Sequence, residues 1–292
     1  MHKILVTGSN GQLGSEIREL SINDVTNVYF YTDVSELDIT DKSAVTKFIE
    51  NHQIDIVVNC AAYTQVDKAE EDEKIAFLIN ATAPGNLAEA CRKYEATLFH
   101  ISTDYVFDGS NNVPYIETQS TSPLGVYGRS KLEGEELIQQ SCCSYIIIRT
   151  SWLYSSFGHN FVKTIARLSS EKDELKVVFD QVGTPTYARD LASSILSVIG
   201  ENKFQHLNGI YHYSNEGVCS WYDFAIAINE YFGNDCHIRP CHSEDFPAKV
   251  TRPHYSVLDK TKIKNDFGIE IGNWRNSLYK CVELLKQNNS LI

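Results

Sequence analysis

Lys3-Ile4-Leu5-Val6-Thr7-Gly8-Ser9-Asn10-Gly11-Gln12-Leu13-Gly14 opens this 292-residue chain and decides its fold. The first five residues are a β-rich run, and the last ones lead into a helical stretch, Leu13–Leu20. Between them, Gly8 lets the strand turn, Gly11 lets the backbone approach a ligand, and Gly14 lets the helix pack closely on a sheet. A helix entered this way offers free N–H groups and the positive end of its dipole to an anion such as a pyrophosphate. The glycine spacing alone also fits a plain turn; its place between strand and helix makes it a dinucleotide fingerprint. Gly8, Asn10, Gly11, Gln12, Leu13 and Gly14 are therefore candidate cofactor residues.

Outward from this turn, strands and helices alternate. Val28–Thr32, Ile54–Cys60, Leu98–Ser102 and Tyr145–Arg149 read as strands. Asp41 can cap a helix with Ala44, Val45, Phe48 and Ile49 on one face. Further helical stretches run from about Glu73 to Tyr94 and from near Tyr127 to Gln140. This alternation predicts an α/β fold built on a doubly wound parallel sheet. After Thr150, Gly and Pro punctuate shorter elements. Ser220-Trp221-Tyr222-Asp223 starts a helix with capping-box spacing, and Asn273–Lys286 reads as an amphipathic terminal helix. The expected division is a dinucleotide-binding domain at residues 1–150 and a smaller, mainly substrate-binding α/β region at 151–292. Some segments of the second return to the first, and it packs at the carboxyl ends of the strands, where such sheets hold ligands.

Composition excludes several classes. Hydrophobic residues make up 42% and charged residues 22%, with 16 Gly and 7 Pro, so a disordered or collagen-like chain is ruled out. A net charge of −12 argues against a nucleic-acid partner, because phosphate contacts need a basic face. No apolar run approaches the ~20 residues of a membrane span. The chain enters a strand at Lys3 with no signal peptide ahead of it, so a cytoplasmic protein with its eight cysteines reduced is expected. Cys236-His237-Ile238-Arg239-Pro240-Cys241-His242 could supply zinc ligands. Its spacing fits no standard finger and alternates like a strand ending at Pro240, so no metal is expected.

Tyr127 and Lys131 stand four residues apart and share a helix face. Of the 16 Tyr, Tyr127 alone has Lys at that distance. An ammonium about 4 Å from the phenol is worth roughly 4 kcal/mol at an effective dielectric of 20, and would lower the phenol pKa by about 3 units. Such a phenol can protonate a forming alkoxide. A half-buried Tyr beside a solvated Lys is the plainer reading of the pair by itself. Ser102-Thr103-Asp104-Tyr105 lies just past a strand, however, where the Thr103 hydroxyl can hold the same oxygen. Asp33, after the second strand, can accept hydrogen bonds from the adenosine ribose and repel a 2′-phosphate, which leans towards NADH; an ordinary loop residue is the alternative. Asp38-Ile39 can flank the adenine.

Gly8–Gly14, Val58-Asn59-Cys60-Ala61-Ala62-Tyr63-Thr64, Val66-Asp67-Lys68-Ala69-Glu70, Ser102–Phe107, Tyr127–Glu135, Arg149-Thr150-Ser151-Trp152 and Arg252-Pro253 together resemble the extended short-chain dehydrogenases/reductases. Within them they are most similar to the dTDP-4-dehydrorhamnose reductases. The resemblance covers essentially the whole chain and implies a Rossmann-like fold and NADH or NADPH as cofactor. The implied reaction is reduction of the C4 ketone of dTDP-4-dehydro-β-L-rhamnose. It implies Thr103, Tyr127 and Lys131 as the catalytic trio, with Tyr127 and Lys131 also at the cofactor and Lys131 holding the nicotinamide ribose. Gly11-Gln12-Leu13, Asp38-Ile39 and Ala61-Ala62-Tyr63 would line the cofactor. Thr103, Asp104, Tyr105 and Trp152 would lie on the deoxysugar side, with Asn160, Phe161 and Arg252 towards the nucleotide. Relatives that eliminate water carry Glu where this chain has Tyr105, so simple ketone reduction is the expectation. The resemblance leaves room for a homodimer. Some members bridge theirs through a metal, but Arg189 replaces one acid partner of Glu16 here. The rival readings are a nucleotide-sugar epimerase and a non-catalytic subunit like the β subunit of methionine adenosyltransferase.

Overall fold

The computed structural model describes residues 1–246 and 249–288. The first half runs β1 (Lys3–Thr7), α1 (Gln12–Leu20), β2 (Val28–Thr32), α2 (Lys42–His52), β3 (Ile56–Asn59), α3 (Val66–Ala69), α4 (Glu73–Phe77) and α5 (Ala83–Tyr94). It continues through β4 (Thr97–Thr103), α6 (Val126–Gln140) and β5 (Ser144–Thr150). The second half holds β6 (Leu153–Tyr154), α7 (Phe161–Glu171), β7 (Glu174–Val178), β8 (Val182–Gly183), β9 (Thr186–Tyr187), α8 (Ala188–Gly200) and β10 (Gly209–Tyr213). It ends with β11 (Cys219–Ser220), α9 (Trp221–Phe232), β12 (His237–Cys241), α10 (Thr261–Phe267) and α11 (Trp274–Gln287).

Six strands form one parallel sheet in the order β10-β5-β4-β3-β1-β2. Alternate strand residues feed two cores. Ile4, Val6, Ile56, Val58, Ile146 and Ile148 pack against α1 and α8 on one face. Leu5, Val57, Leu98 and Ile147 pack against α2 and α5 on the other. Both faces are covered, which is why these strands read as unbroken apolar runs. β10 and α8 come from the second half of the sequence, yet they complete the sheet and one of its layers. A separate apolar core gathers Val162, Ile165, Phe224, Ile228, Trp274 and Leu278 beyond the carboxyl ends of the strands.

Local chemistry explains the ends. Asp41 accepts from the N–H groups of Ser43 and Ala44 and starts α2. Ser220 and Asp223 form the reciprocal capping box of α9. Two elements differ from the sequence expectation. The stretch from Glu73 to Tyr94 is helical but not uniform: Leu78–Thr82 is a π-turn between α4 and α5. The strand expected to stop at Pro240 runs to Cys241, because among the described residues β12 pairs only with β7 and its other edge needs no proline N–H. Among the described residues, no helix is long and apolar enough to cross a membrane, and no group of three or more His, Cys, Asp or Glu gathers to hold a metal. All eight cysteines are free thiols.

Candidate active site

The turn after β1 leaves α1 without a side-chain cap at Gly11, so its first N–H groups are open to a ligand. The glycines are required by close approach. A Cβ on Gly8, whose φ is +62°, would stand 2.6 Å from the Ala61 backbone, and one on Gly14 would stand 2.5 Å from the Gly8 carbonyl oxygen. At Gly11 an added Cβ meets only that same oxygen, at 3.2 Å. Beside the turn lies a cleft of about 460 Å³, within the usual size of ligand sites. Gly8, Gly11, Asp33 and Asp38 line it, with Ile39, Ala61 and Ala62. Glycine backbone, an open helix N-terminus, apolar walls and a carboxylate at the β2 end fit a dinucleotide. Asp33 accepts from the Asn10 N–H at 3.2 Å, and the Asn86 amide holds the Ile39 carbonyl at 3.2 Å.

Three expected cofactor residues sit differently from the rest. The Leu13 side chain points into the core, so only its backbone faces the turn. The Gln12 side chain accepts from Asn160 at 3.1 Å. Tyr63 is not among the cleft-lining residues: its N–H donates to Asn80 and its hydroxyl to Asp72, at 2.8 and 2.9 Å.

Thr103 ends β4, and Tyr127 stands in the first turn of α6, which crosses the same strand end. The Thr103 hydroxyl lies close enough to the Tyr127 phenol to favour its ionised form. Thr103 also donates to Asp104 at 3.1 Å and accepts from the Tyr105 N–H at 3.2 Å. The expected lowering of the Tyr127 pKa by Lys131 is wrong. Burial pushes this phenol well above its usual value, Thr103 opposes only part of that, and Asp104 adds to it. Lys131 is fully buried, and its Nζ is turned to the sheet: it donates to the Ile101 carbonyl at 2.6 Å and lies 3.2 Å from His100 Nε2. The spacing put both residues on one helix face, but the ammonium is engaged elsewhere. Burial pulls Lys131 itself down to about 8. Asp104 is buried too, and that burial pushes its carboxyl up to about 6.

The second half closes the site. Tyr105 packs edge-on against the Tyr127 ring and accepts from Arg252 at 3.2 Å, while Arg252 pairs with Asp67 at 2.5 Å. Arg252 is thus one side chain away from Tyr127. Trp152, just after β5, has a φ of +49° and stacks on Trp221, with ring centroids 3.6 Å apart. Gly183 is where it is because a Cβ there would meet the Trp152 indole at 2.7 Å. Phe161 covers Trp221 at 4.5 Å. The Asn160 amide is taken up by capping α7 and by Ser155 and Gln12. Glu16 is buried, accepting from Ser155 at 2.6 Å and pairing with Arg189 at 3.1 Å.

The sequence reading missed His100, Asn59, Asn80 and Trp221. A polar side chain within a strand covered on both faces was the available signal for His100 and Asn59. Asn80 sits in the π-turn, where its amide ties Tyr63 to Ser130.

Comparison with known proteins agrees with this fold. The model of the RmlD substrate binding domain matches residues 1–287. A dTDP-4-dehydrorhamnose reductase from Aggregatibacter actinomycetemcomitans is 40% identical over 95% of this chain and 97% of its own length. Two solved dTDP-4-dehydrorhamnose reductases superpose closely. The Clostridium acetobutylicum structure has a TM-score of 0.93 and 45% identity, covering 97% of this chain and 99% of that one. The Bacillus anthracis structure, in complex with NADP, has a TM-score of 0.92 and 37% identity over the same shares. With a near-complete family match and such relatives along nearly its whole length, this chain belongs to the RmlD substrate binding domain family.

Proposed function

We propose that this protein is an NAD(P)H-dependent reductase that converts the C4 ketone of dTDP-4-dehydro-β-L-rhamnose to the alcohol of dTDP-L-rhamnose. The observation that carries the reading is the Tyr127 phenol, grouped with Thr103 at the carboxyl end of the sheet, the same end at which the cleft beside the glycine turn opens. When bound, the reduced nicotinamide supplies the hydride. Thr103 holds the ketone oxygen, and Tyr127 gives it a proton. Burial keeps Tyr127 protonated across neutral pH, so it is an acid ready to donate. Once a bound ligand draws it off the sheet, a charged Lys131 stabilises the phenolate left behind, which regains its proton from solvent. Gly8, Asn10, Gly11 and the start of α1 hold the pyrophosphate, with Asp33, Asp38 and Ile39 at the adenosine end and Ala61 and Ala62 along the wall. Asp104, Tyr105 and Trp152 face the sugar, and Phe161, Asn160 and Arg252 the nucleotide. In this reading residues 1–150 hold the cofactor and 151–292 mainly the sugar nucleotide, in the cytoplasm. A homodimer, if formed, uses a surface other than Glu16, which Arg189 and Ser155 occupy.

The test is absorbance of the reduced nicotinamide as the purified protein receives the dTDP-keto-sugar. One NAD(P)H should disappear per sugar reduced. Epimerised sugar without cofactor consumption would make the protein an epimerase. No turnover, with a methionine adenosyltransferase co-purifying, would make it a regulatory subunit.

A further inference from the structure

His100 is fully buried in the middle of β4, and the reaction above makes no use of it. It stands in a row of polar groups that runs from the cofactor turn to Lys131. The Asn59 Oδ1 accepts from the Ala61 backbone N–H at 3.1 Å and from Thr7 Oγ1 at 2.7 Å. A backbone N–H can only donate, so this contact identifies the oxygen of the Asn59 amide. The other end, Nδ2, therefore faces His100 Nδ1 at 3.0 Å. Nδ2 is also purely a donor, so Nδ1 must offer its lone pair. A neutral imidazole then carries its proton on Nε2, which points at Lys131 Nζ, 3.2 Å away.

An ammonium has no lone pair to receive that N–H, whereas a neutral amine has one. One of the amine's two N–H groups donates to the Ile101 carbonyl. With Lys131 charged, two donors face each other somewhere in the row, whichever nitrogen of His100 holds the proton. The other groups around Lys131 do not reverse this. Glu135, one turn further along α6, favours the ammonium, but both its oxygens are occupied by Arg149 and Ser102. Tyr127, one turn earlier, is held neutral. A cationic His100 is opposed by burial first and by Lys131 second.

We propose that His100 is a positioning residue for Lys131: fixed by Asn59 with its proton on Nε2, it holds Lys131 as a neutral amine in the ligand-free protein above neutral pH, and Lys131 takes up one solvent proton when a ligand draws it off the imidazole. The direction in which burial moves both groups agrees with this. The inference rests on the reductase reading for the use of Lys131, but not for the tautomer.

Long-range 1H–15N spectra of the ligand-free wild-type protein show which imidazole nitrogen is protonated. Of nine histidines, His100 and His212 are fully buried. His212 Nδ1 lies 3.0 Å from the Tyr115 carbonyl and must donate to it. At about pH 9 the two rings that do not titrate should therefore be opposite tautomers, Nε2–H for His100 and Nδ1–H for His212. Two Nδ1–H rings would overturn the proposal, and this result needs no variant to fold. In His100→Gln the amide oxygen can accept from an ammonium. In the reductase reading Lys131 also holds the cofactor, so binding of NAD(P)H, read by its fluorescence, should weaken as Lys131 loses its charge. In the variant that alkaline limb should move up by about one pH unit, the size of one net hydrogen bond. An unmoved limb in a folded variant would refute the positioning role. Failure of the reductase reading is seen separately, as absent sugar reduction with the tautomers intact.

Discussion

Replacing Tyr127 with Phe removes one oxygen and leaves the ring in place. That oxygen makes at most one neutral hydrogen bond, with Thr103, so the stability cost is about 1 kcal/mol. The ring keeps its edge-on contact with Tyr105 and its place beside Val126 and Tyr63. The catalytic cost is far larger. Without the phenol, the new alkoxide must find its proton in water, and Thr103 can hold the oxygen but cannot give up a proton at neutral pH. Loss of a positioned acid costs about 10²–10⁴-fold, or roughly 3–5 kcal/mol of transition-state stabilisation. NAD(P)H consumption with saturating dTDP-keto-sugar should fall by that factor in kcat, while NAD(P)H affinity stays within about threefold of wild type. The loss should not be rescued at alkaline pH, since burial keeps the wild-type phenol protonated well above neutrality. A variant that turns over within about threefold of wild type would refute the assignment of Tyr127 as the acid.

The other predictions concern its neighbours. Thr103→Val removes one neutral hydrogen bond to the ketone and should lower kcat about two- to tenfold; a loss above ~10³ would mean that Thr103 transfers the proton itself. Asp104 is held near 6 by burial, above its ordinary value of 3.8. Its contribution to stability is therefore fully present below its ordinary value and is lost as pH rises through about 6. Asp104→Asn should then gain up to ~3 kcal/mol on wild type at neutral pH and nothing near pH 4, read by urea unfolding; a pH-independent difference would contradict this. Arg149→Met strands the buried Glu135 carboxylate, which Arg149 meets at 2.6 and 3.0 Å, and should cost about 3–5 kcal/mol. Arg149→Met with Glu135→Leu should recover most of it; a double variant as weak as the single would argue against the pairing.

The sheet was legible because its strands are short, apolar and separated by helix-length intervals, and β1 and β2 match their expected bounds. The phosphate turn was legible for a different reason: Gly8 and Gly14 are dictated by backbone crowding that no other residue tolerates. What the sequence could not supply was the direction of long side chains. Four-residue spacing placed Lys131 on the face of Tyr127, but whether its amine turns to the phenol or to Ile101 depends on a strand thirty residues away. The Asn80 π-turn was equally hidden, since Leu78–Thr82 has no helix breaker of its own. Trp152 was singled out, but its left-handed backbone and its stacking partner Trp221 arise from contacts made across the second half.

That stacked pair has an optical consequence. Two indoles lying 11° from parallel at 3.6 Å share their excited states, so the protein should carry an exciton couplet in its ultraviolet circular dichroism. Trp274, the third of the chain's three tryptophans, packs against Phe224 and takes no part in it. Any ligand that displaces Trp152 from Trp221 alters the couplet, so the native chain reports that event without a dye or label.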